Sequence, residues 1–308
     1  MAIANAAIAI YLRNRIIKKK GLGKTAVDSA VFLYPSFSIG VAYASADDNL
    51  SEAEDLLGES EKQTLALRHN HRKDEFLVSR ALTKLSYQAS FAEQGSDFNA
   101  RFLAVDKTES GAPYFTSALS DAERFPALSL SHTTRRDGTR AVSGQLCACA
   151  MGREAKSSSV AVQQIGVDIE IASSRVLLRR RALEAAQSRF AAVEDFFDRQ
   201  HRYAPLICWT AIEAYSKASG TALMSCVNNL VPRLASPSAK EDPVLKFQKT
   251  SPDMSWLEEG AFSCQPIGLM TAMLDTRDTE KVFNISCYRL AYKRDGATLD
   301  AFISVAYR

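Results

Sequence analysis

The chain has 308 residues, enough for two domains of ordinary size or one duplicated unit, and its 46% hydrophobic content suits a globular protein with a large core. A formal net charge of +3 is close to neutral and gives no footprint for nucleic-acid binding, although the basic residues are clustered enough to form a local anion site. Cys147, Cys149, Cys208, Cys226, Cys264 and Cys287 contain no C-x-x-C pair, and the four histidines lack ligand spacing. We therefore expect free thiols in a reducing cytoplasm and no zinc site.

Residues 1–24 run from an apolar start, Met1 to Tyr11, into the basic cluster Arg13, Arg15, Lys18, Lys19 and Lys20. A secretory signal has the reverse order, and the apolar part is too short to span a bilayer. The segment reads as a loosely docked extension or as a short amphipathic helix touching a membrane or partner. Residues 26–45, rich in Val, Phe, Tyr and Ile and broken at Pro35, predict two strands or one bent strand. An acidic, turn-rich stretch follows from Asp47 to Glu61.

One long helix is predicted from about Lys62 to Gln88, with Leu67, Phe76, Leu77, Ala81, Leu82 and Leu85 as its apolar stripe. Arg68, Arg72 and Arg80 fall near one side of it. Gly111-Ala112-Pro113-Tyr114-Phe115 reads as a turn entering a strand. Ala127 to Leu130 predicts a strand that delivers Ser131 and His132 to its end, where His132 could donate to a phosphate oxygen. Thr134 to Thr139 looks turn-like, with Arg135, Arg136 and Arg140 as additional anion contacts. Val142 to Met151 predicts another strand, and Gly152 to Ser159 a surface loop between two halves.

The second half opens with Ile165-Gly166-Val167-Asp168-Ile169-Glu170, a strand whose glycine permits close backbone approach. Side chains at i and i+2 share a face, so Asp168 and Glu170 point one way while Val167, Ile169 and Ile171 point into the core. Arg175 to Gln200 reads as a charged helix carrying Phe190 and Glu194. Trp209 to Ala218 predicts a helix ending near Gly220, and it stacks Glu213 and Lys217, four apart, on one face. Laid over the strand, that face brings three carboxylates beside one ammonium. Such a set of hard oxygen donors suits Mg²⁺, and the lysine suits a phosphate. Residues 228–260 read as irregular, with one strand candidate at Val244 to Lys249. Strands are expected at Ala261 to Met273, Val282 to Tyr292 and Leu299 to Tyr307, the last two joined by a hairpin at Asp295-Gly296. Pattern alone thus gives an α+β class.

The order and spacing of G-V-D-I-E (Gly166 to Glu170) and W-x-x-x-E-A-x-x-K (Trp209 to Lys217) resemble the signature pair of the 4′-phosphopantetheinyl transferases. Further pieces match in part. Gly111-Ala112-Pro113-Tyr114 is similar to the family's G-K-P-Y turn, with Ala112 for lysine, and Leu128 to Thr133 to its N-L-S-H-S/T element, with Ser129 for asparagine. The helix motif has Ile212 where the family usually has lysine.

The resemblance implies two similar α+β subdomains related by a pseudo-twofold, here residues 25–155 and 156–308, with the active site in the cleft between them. It implies transfer of the phosphopantetheine arm of coenzyme A to a serine of an acyl or peptidyl carrier protein, releasing 3′,5′-ADP. It further implies Mg²⁺, or Mn²⁺ in its place, held by Asp168, Glu170 and Glu213. Lys217 is expected on a pyrophosphate oxygen, and Arg72 (or Arg68), Gly111, Pro113, Ser131 and His132 on the coenzyme. Arg80 is expected to be a structural ion-pair partner. The base that takes the serine proton is Glu213, or a water held by Glu170 or Glu194. A monomer without a transmembrane segment or nucleic-acid partner is expected. The alternatives are a degenerate member that binds coenzyme A or a carrier without transfer, supported by Ile212 and Ala112, and a Mg²⁺-dependent phosphohydrolase.

Overall fold

A computed structural model describes residues 8–10, 27–91, 103–117, 125–136, 142–153, 162–172, 184–186, 188, 190, 203–234, 260–274, 282–294 and 296–308. Helices and strands are mixed in an α+β arrangement, and the chain divides into two compact units at Val162/Gln163.

The first unit contains strands β1 (Ile8–Ile10), β2 (Asp28–Leu33), β3 (Phe37–Ser45), β6 (Leu128–Arg136) and β7 (Val142–Gly152) in one antiparallel sheet of order β1-β2-β3-β7-β6. Helices α1 (Ser51–Asp55), α2 (Glu59–Ala66) and α3 (Asn70–Phe91) follow β3, and the hairpin β4 (Leu103–Lys107) and β5 (Pro113–Ser117) forms a separate ribbon. The core lies where Val78 and Leu82 of α3 meet Ala42, Cys147, Cys149 and Met151 of the sheet and Leu103, Val105 and Phe115 of the hairpin. Of the N-terminal 24 residues only Ile8–Ile10 are described, and they form an edge strand against Val31–Leu33.

Two expectations in this unit need correction. The long helix is two helices, α2 and α3, separated by a turn in which Arg68 N–H donates to Leu65 O. Leu67, expected in the apolar stripe, sits in that turn and is 89% exposed. The break lets α2 reach a site 23 residues further along, where Lys84 Nζ donates to Glu61 Oε2 at 2.5 Å. In an unbroken helix those residues would stand about 35 Å apart. Glu61 also accepts from the backbone N–H of Gly58 and Val105, and Lys84 also donates to Leu56 O, so this buried ion pair is held by hydrogen bonds on both sides. The second correction concerns His132. The strand does not end at Leu130 but continues to Arg136 by pairing with β7, so His132 stands mid-strand opposite Cys147.

The second unit contains β8 (Ile165–Ile171), α4 (Ala204–Ser219), α5 (Leu223–Asn229), β9 (Leu230–Leu234), β10 (Phe262–Leu274), β11 (Phe283–Arg294) and β12 (Ala297–Tyr307), with sheet order β8-β12-β11-β10-β9, again antiparallel. The β11–β12 hairpin turns at Gly296, whose φ of 73° is in the left-handed region. Strand β9 lies where irregular structure was expected. Its Pro232 breaks the strand pattern in the sequence, but β9 is an edge, where a missing N–H costs little. Leu206, Ile207, Trp209, Ile212 and Tyr215 of α4 are buried against Ile285, Cys287, Phe302 and Ala306, each side chain contributing roughly 1.5–3 kcal/mol of transfer free energy. Glu194 and the strand candidate at 244–249 lie outside the described residues.

The two units share a connection pattern. The strand that leads into the helices (β3 or β8) is paired with the last strand of its unit (β7 or β12), which is paired in turn with the strand before it. Each leading strand also has a glycine under the long helix. A Cβ on Gly40 would lie 1.9 Å from Ser86 Oγ of α3, and one on Gly166 would lie 2.0 Å from the Ala214 carbonyl oxygen of α4.

Candidate functional site

In the second unit, Gly166 sets the geometry. Only a residue without a side chain lets the backbone of α4 at Ala214 and Ala218 come so close to β8. The next residues on that strand face are Asp168 and Glu170, and the next helix positions are Glu213 and Lys217. The face beneath α4 is therefore the one that carries the acids, and Ser304, paired with Asp168, reaches Thr210 Oγ1 of α4 at 2.8 Å on the same side. Val167, Ile169 and Ile171 are buried on the opposite face.

Asp168 is 3% exposed. Its Oδ1 accepts from Lys217 Nζ at 2.7 Å, and the same ammonium donates to Val167 O at 3.0 Å. Glu213 shares a hydrogen bond with Asp168. Burial, then the Asp168 carboxylate, push the Glu213 carboxyl up to about 8, against the opposing pull of Lys217, with Glu170 adding to the rise. Thus Lys217 and Glu213 each adjoin Asp168, and Glu170 is close enough to act electrostatically. Among the described residues, no three acid, histidine or cysteine side chains are drawn together into a ready-made metal-ligand set. The donor chemistry nevertheless fits a hard divalent cation, because a buried carboxyl that resists ionisation beside another carboxylate is what such an ion would relieve. Ile212 is fully buried in the core beneath α4, so its position offers no contact to a solvent-borne phosphate.

The first unit brings a different group together. His132 Nε2 lies 3.1 Å from Glu75 Oε2 on α3. The hydrogen bond from His132, followed by the nearby charges of His132, Arg72 and Arg68, holds the Glu75 carboxyl below the usual range against the effect of burial. Arg68 and Arg80 both stack on Phe76, their guanidinium carbons 4.4 Å and 4.9 Å from the ring centre. Arg80 also lies 3.9 Å from Glu61 Oε1. Lys107, paired across the hairpin with Pro113, is held below the usual lysine range by desolvation and by Arg80, Arg68 and Arg72. Arg68 Nε and Arg80 Nε are buried with no hydrogen-bond acceptor among the described residues. This cluster is short of negative charge.

Arg68, Arg72 and His132 are thus gathered around Glu75, and Pro113 is joined to them through Lys107. Gly111, at φ 86°, forms the hairpin turn, where its N–H donates to Thr108 O. Ser131 is only 6% exposed. Glu75 and Lys107 were not anticipated. Glu75 is 57 positions from His132, a separation no local pattern bridges, but Lys107 could have been found from its place opposite Pro113 in a Gly/Pro hairpin.

Comparison of the sequence with models of protein families gives no match, and comparison with curated proteins gives none either.

Proposed function

We propose that this chain transfers the 4′-phosphopantetheine arm of coenzyme A to a serine hydroxyl of an acyl or peptidyl carrier protein. The observation that carries the reading is the contact of Asp168, Glu213 and Lys217, created by the helix-to-strand approach at Gly166. The G-V-D-I-E and W-x-x-x-E-A-x-x-K pair, which resembles that of the phosphopantetheinyl transferases, supplies the substrate.

In the reaction, the serine oxygen forms a bond to the β-phosphorus of the coenzyme A pyrophosphate and the bond to 3′,5′-ADP breaks. Asp168, Glu170 and Glu213 would hold Mg²⁺, which when bound supplies Lewis-acid charge neutralisation at the pyrophosphate. Lys217, already tethered to Asp168, is positioned to stabilise charge on a phosphate oxygen. Glu213, or a water held by Glu170, takes the serine proton. Arg72, Arg68, His132 and Lys107 grip the 3′-phosphate, Lys107 supplying the ammonium that Ala112 does not. The shared connection pattern of the two units supports a pseudo-twofold origin for them.

Ile212 does not favour the non-catalytic alternative, because a buried side chain there leaves the acids and Lys217 as they are. The test is intact-protein mass spectrometry of an apo carrier incubated with this protein, coenzyme A and Mg²⁺. A mass gain of one phosphopantetheine, lost with Glu213→Ala or EDTA, is expected. Coenzyme A binding without any gain on several carriers would support the non-catalytic reading, and phosphate release the hydrolytic one.

A further inference from the structure

The reading above assigns His132 to a phosphate but leaves Glu75 without a role. Glu75 is an acid set among cations: His132 on β6 at 3.1 Å, Arg72 on its own helix, Arg68 just before that helix, and Lys107 on β4. On β7, Cys147 stands opposite His132, a buried thiol whose ionisation is suppressed and which contributes no charge. A carboxylate here subtracts from an anion site, so its presence requires a reason.

The geometry supplies one. Glu75 Oε2 is within hydrogen-bond distance of Nε2 of His132, so Nε2 carries a proton and donates to Glu75. The nitrogen left for a ligand is Nδ1. In the neutral ring with Nε2 protonated, Nδ1 is an acceptor and repels a phosphate oxygen. It becomes a donor only in the imidazolium form. The ring is 45% exposed and therefore accessible.

We propose that Glu75 is a positioning residue that fixes the tautomer of His132 and so couples recognition of the coenzyme A 3′-phosphate to protonation of that histidine. This rests on the coenzyme A reading. Glu75 touches no reacting atom. It acts through His132, with Arg72, Arg68 and Lys107 adding attraction for the same anion. Selectivity for the 3′-phosphorylated coenzyme then fades as the imidazolium gives up its proton with rising pH, and it stops growing below about pH 6, where the 3′-phosphate itself takes up a proton.

The experiment is calorimetric titration of the full chain with coenzyme A and with 3′-dephospho-coenzyme A, at several values between about pH 5.5 and 8.5, the range in which imidazoles titrate. Coenzyme A affinity should fall above the imidazole titration, by at most about tenfold per pH unit for one linked proton. That of 3′-dephospho-coenzyme A should fall less, because Glu213 titrates towards about 8 beside the pyrophosphate that both ligands share, an effect that cancels in the ratio of the two affinities. In Glu75→Gln, which is isosteric, the imidazolium loses its counter-charge. The preference for coenzyme A near neutral pH should drop about tenfold, the worth of one charge-assisted hydrogen bond. Glu75→Asp, which keeps the charge, should recover part of the preference, a result that a merely structural role does not produce. Parallel pH profiles for the two ligands, or wild-type behaviour in Glu75→Gln, would overturn this inference and leave the transferase reading standing. Failure of the wild-type protein to bind coenzyme A at any pH would overturn both.

Discussion

Glu213 raises the sharpest question among single residues, because its carboxyl takes up a proton on folding. Its ionisation moves from an ordinary 4.5 to about 8 in the folded protein, chiefly through burial and Asp168. An acid whose pKa is raised by folding binds more protons in the native state, so stability falls as the pH rises from about 4.5 towards 8 and is then level. Without metal, the melting temperature should decline across that window. Glu213→Gln should remove this slope and stabilise the protein near pH 8 by on the order of 1–3 kcal/mol, read by thermal unfolding. Millimolar Mg²⁺ should raise the wild-type melting temperature at that pH and leave Glu213→Gln unmoved. Ile212 poses the converse case. Replacing it with the lysine usual in the phosphopantetheinyl transferases it resembles would place an ammonium in a fully buried site, and Ile212→Lys should cost roughly 3 kcal/mol or more in urea unfolding, with no gain in coenzyme A affinity. Contacts at this scale were legible only where chain geometry is local: i, i+2 on a strand and i, i+4 on a helix anticipated Lys217 beside Asp168, while no ready-made set of three ligands is found among the described residues. Glu75 beside His132 depends on how α3 crosses β6, which no short-range pattern encodes.

Among elements, the approach of α4 to β8 brings Asp168, Glu213 and Lys217 together, and Gly166 controls it. The atoms a Cβ would strike are main-chain atoms of Ala214 and Ala218, at 2.0 and 2.5 Å, and neither can rotate away. Gly166→Ala should push the helix off the strand, cost at least about 2–3 kcal/mol by chemical denaturation, and abolish carrier labelling. Gly40→Ala meets a side chain, Ser86, and its cost should be smaller. The strand and helix of this pair were readable because hydrophobic period and flanking residues agreed. The turn between α2 and α3 was not, because helix-forming residues continue through Leu67 while the decisive interaction is Glu61 with Lys84, a tertiary contact that overrides local propensity. Strand β9 was missed for a similar reason. Its proline is tolerated only because it lies on a sheet edge, and edge position is a property of topology.

For the whole molecule, the sequence signals for phosphate gripping and for metal chemistry fall in different compact units, residues 8–162 and 163–308. If one coenzyme A molecule uses both, the two contributions should separate kinetically. On the proposed reading Arg72 would contact a part of the coenzyme that does not change during transfer, so its interaction would be the same in ground and transition states. Arg72→Ala should raise KM for coenzyme A by about tenfold, the worth of one charge-assisted contact, with kcat nearly unchanged. On the same reading Glu213→Gln would alter groups next to the bond that breaks. It should lower kcat by at least about a hundredfold, while calorimetry shows coenzyme A still bound. The measurement is steady-state carrier labelling with each variant, paired with direct binding. Equal losses of kcat and binding in both variants would mean that the two units do not divide the work in this way, and that the resemblance locates the acids without identifying their substrate.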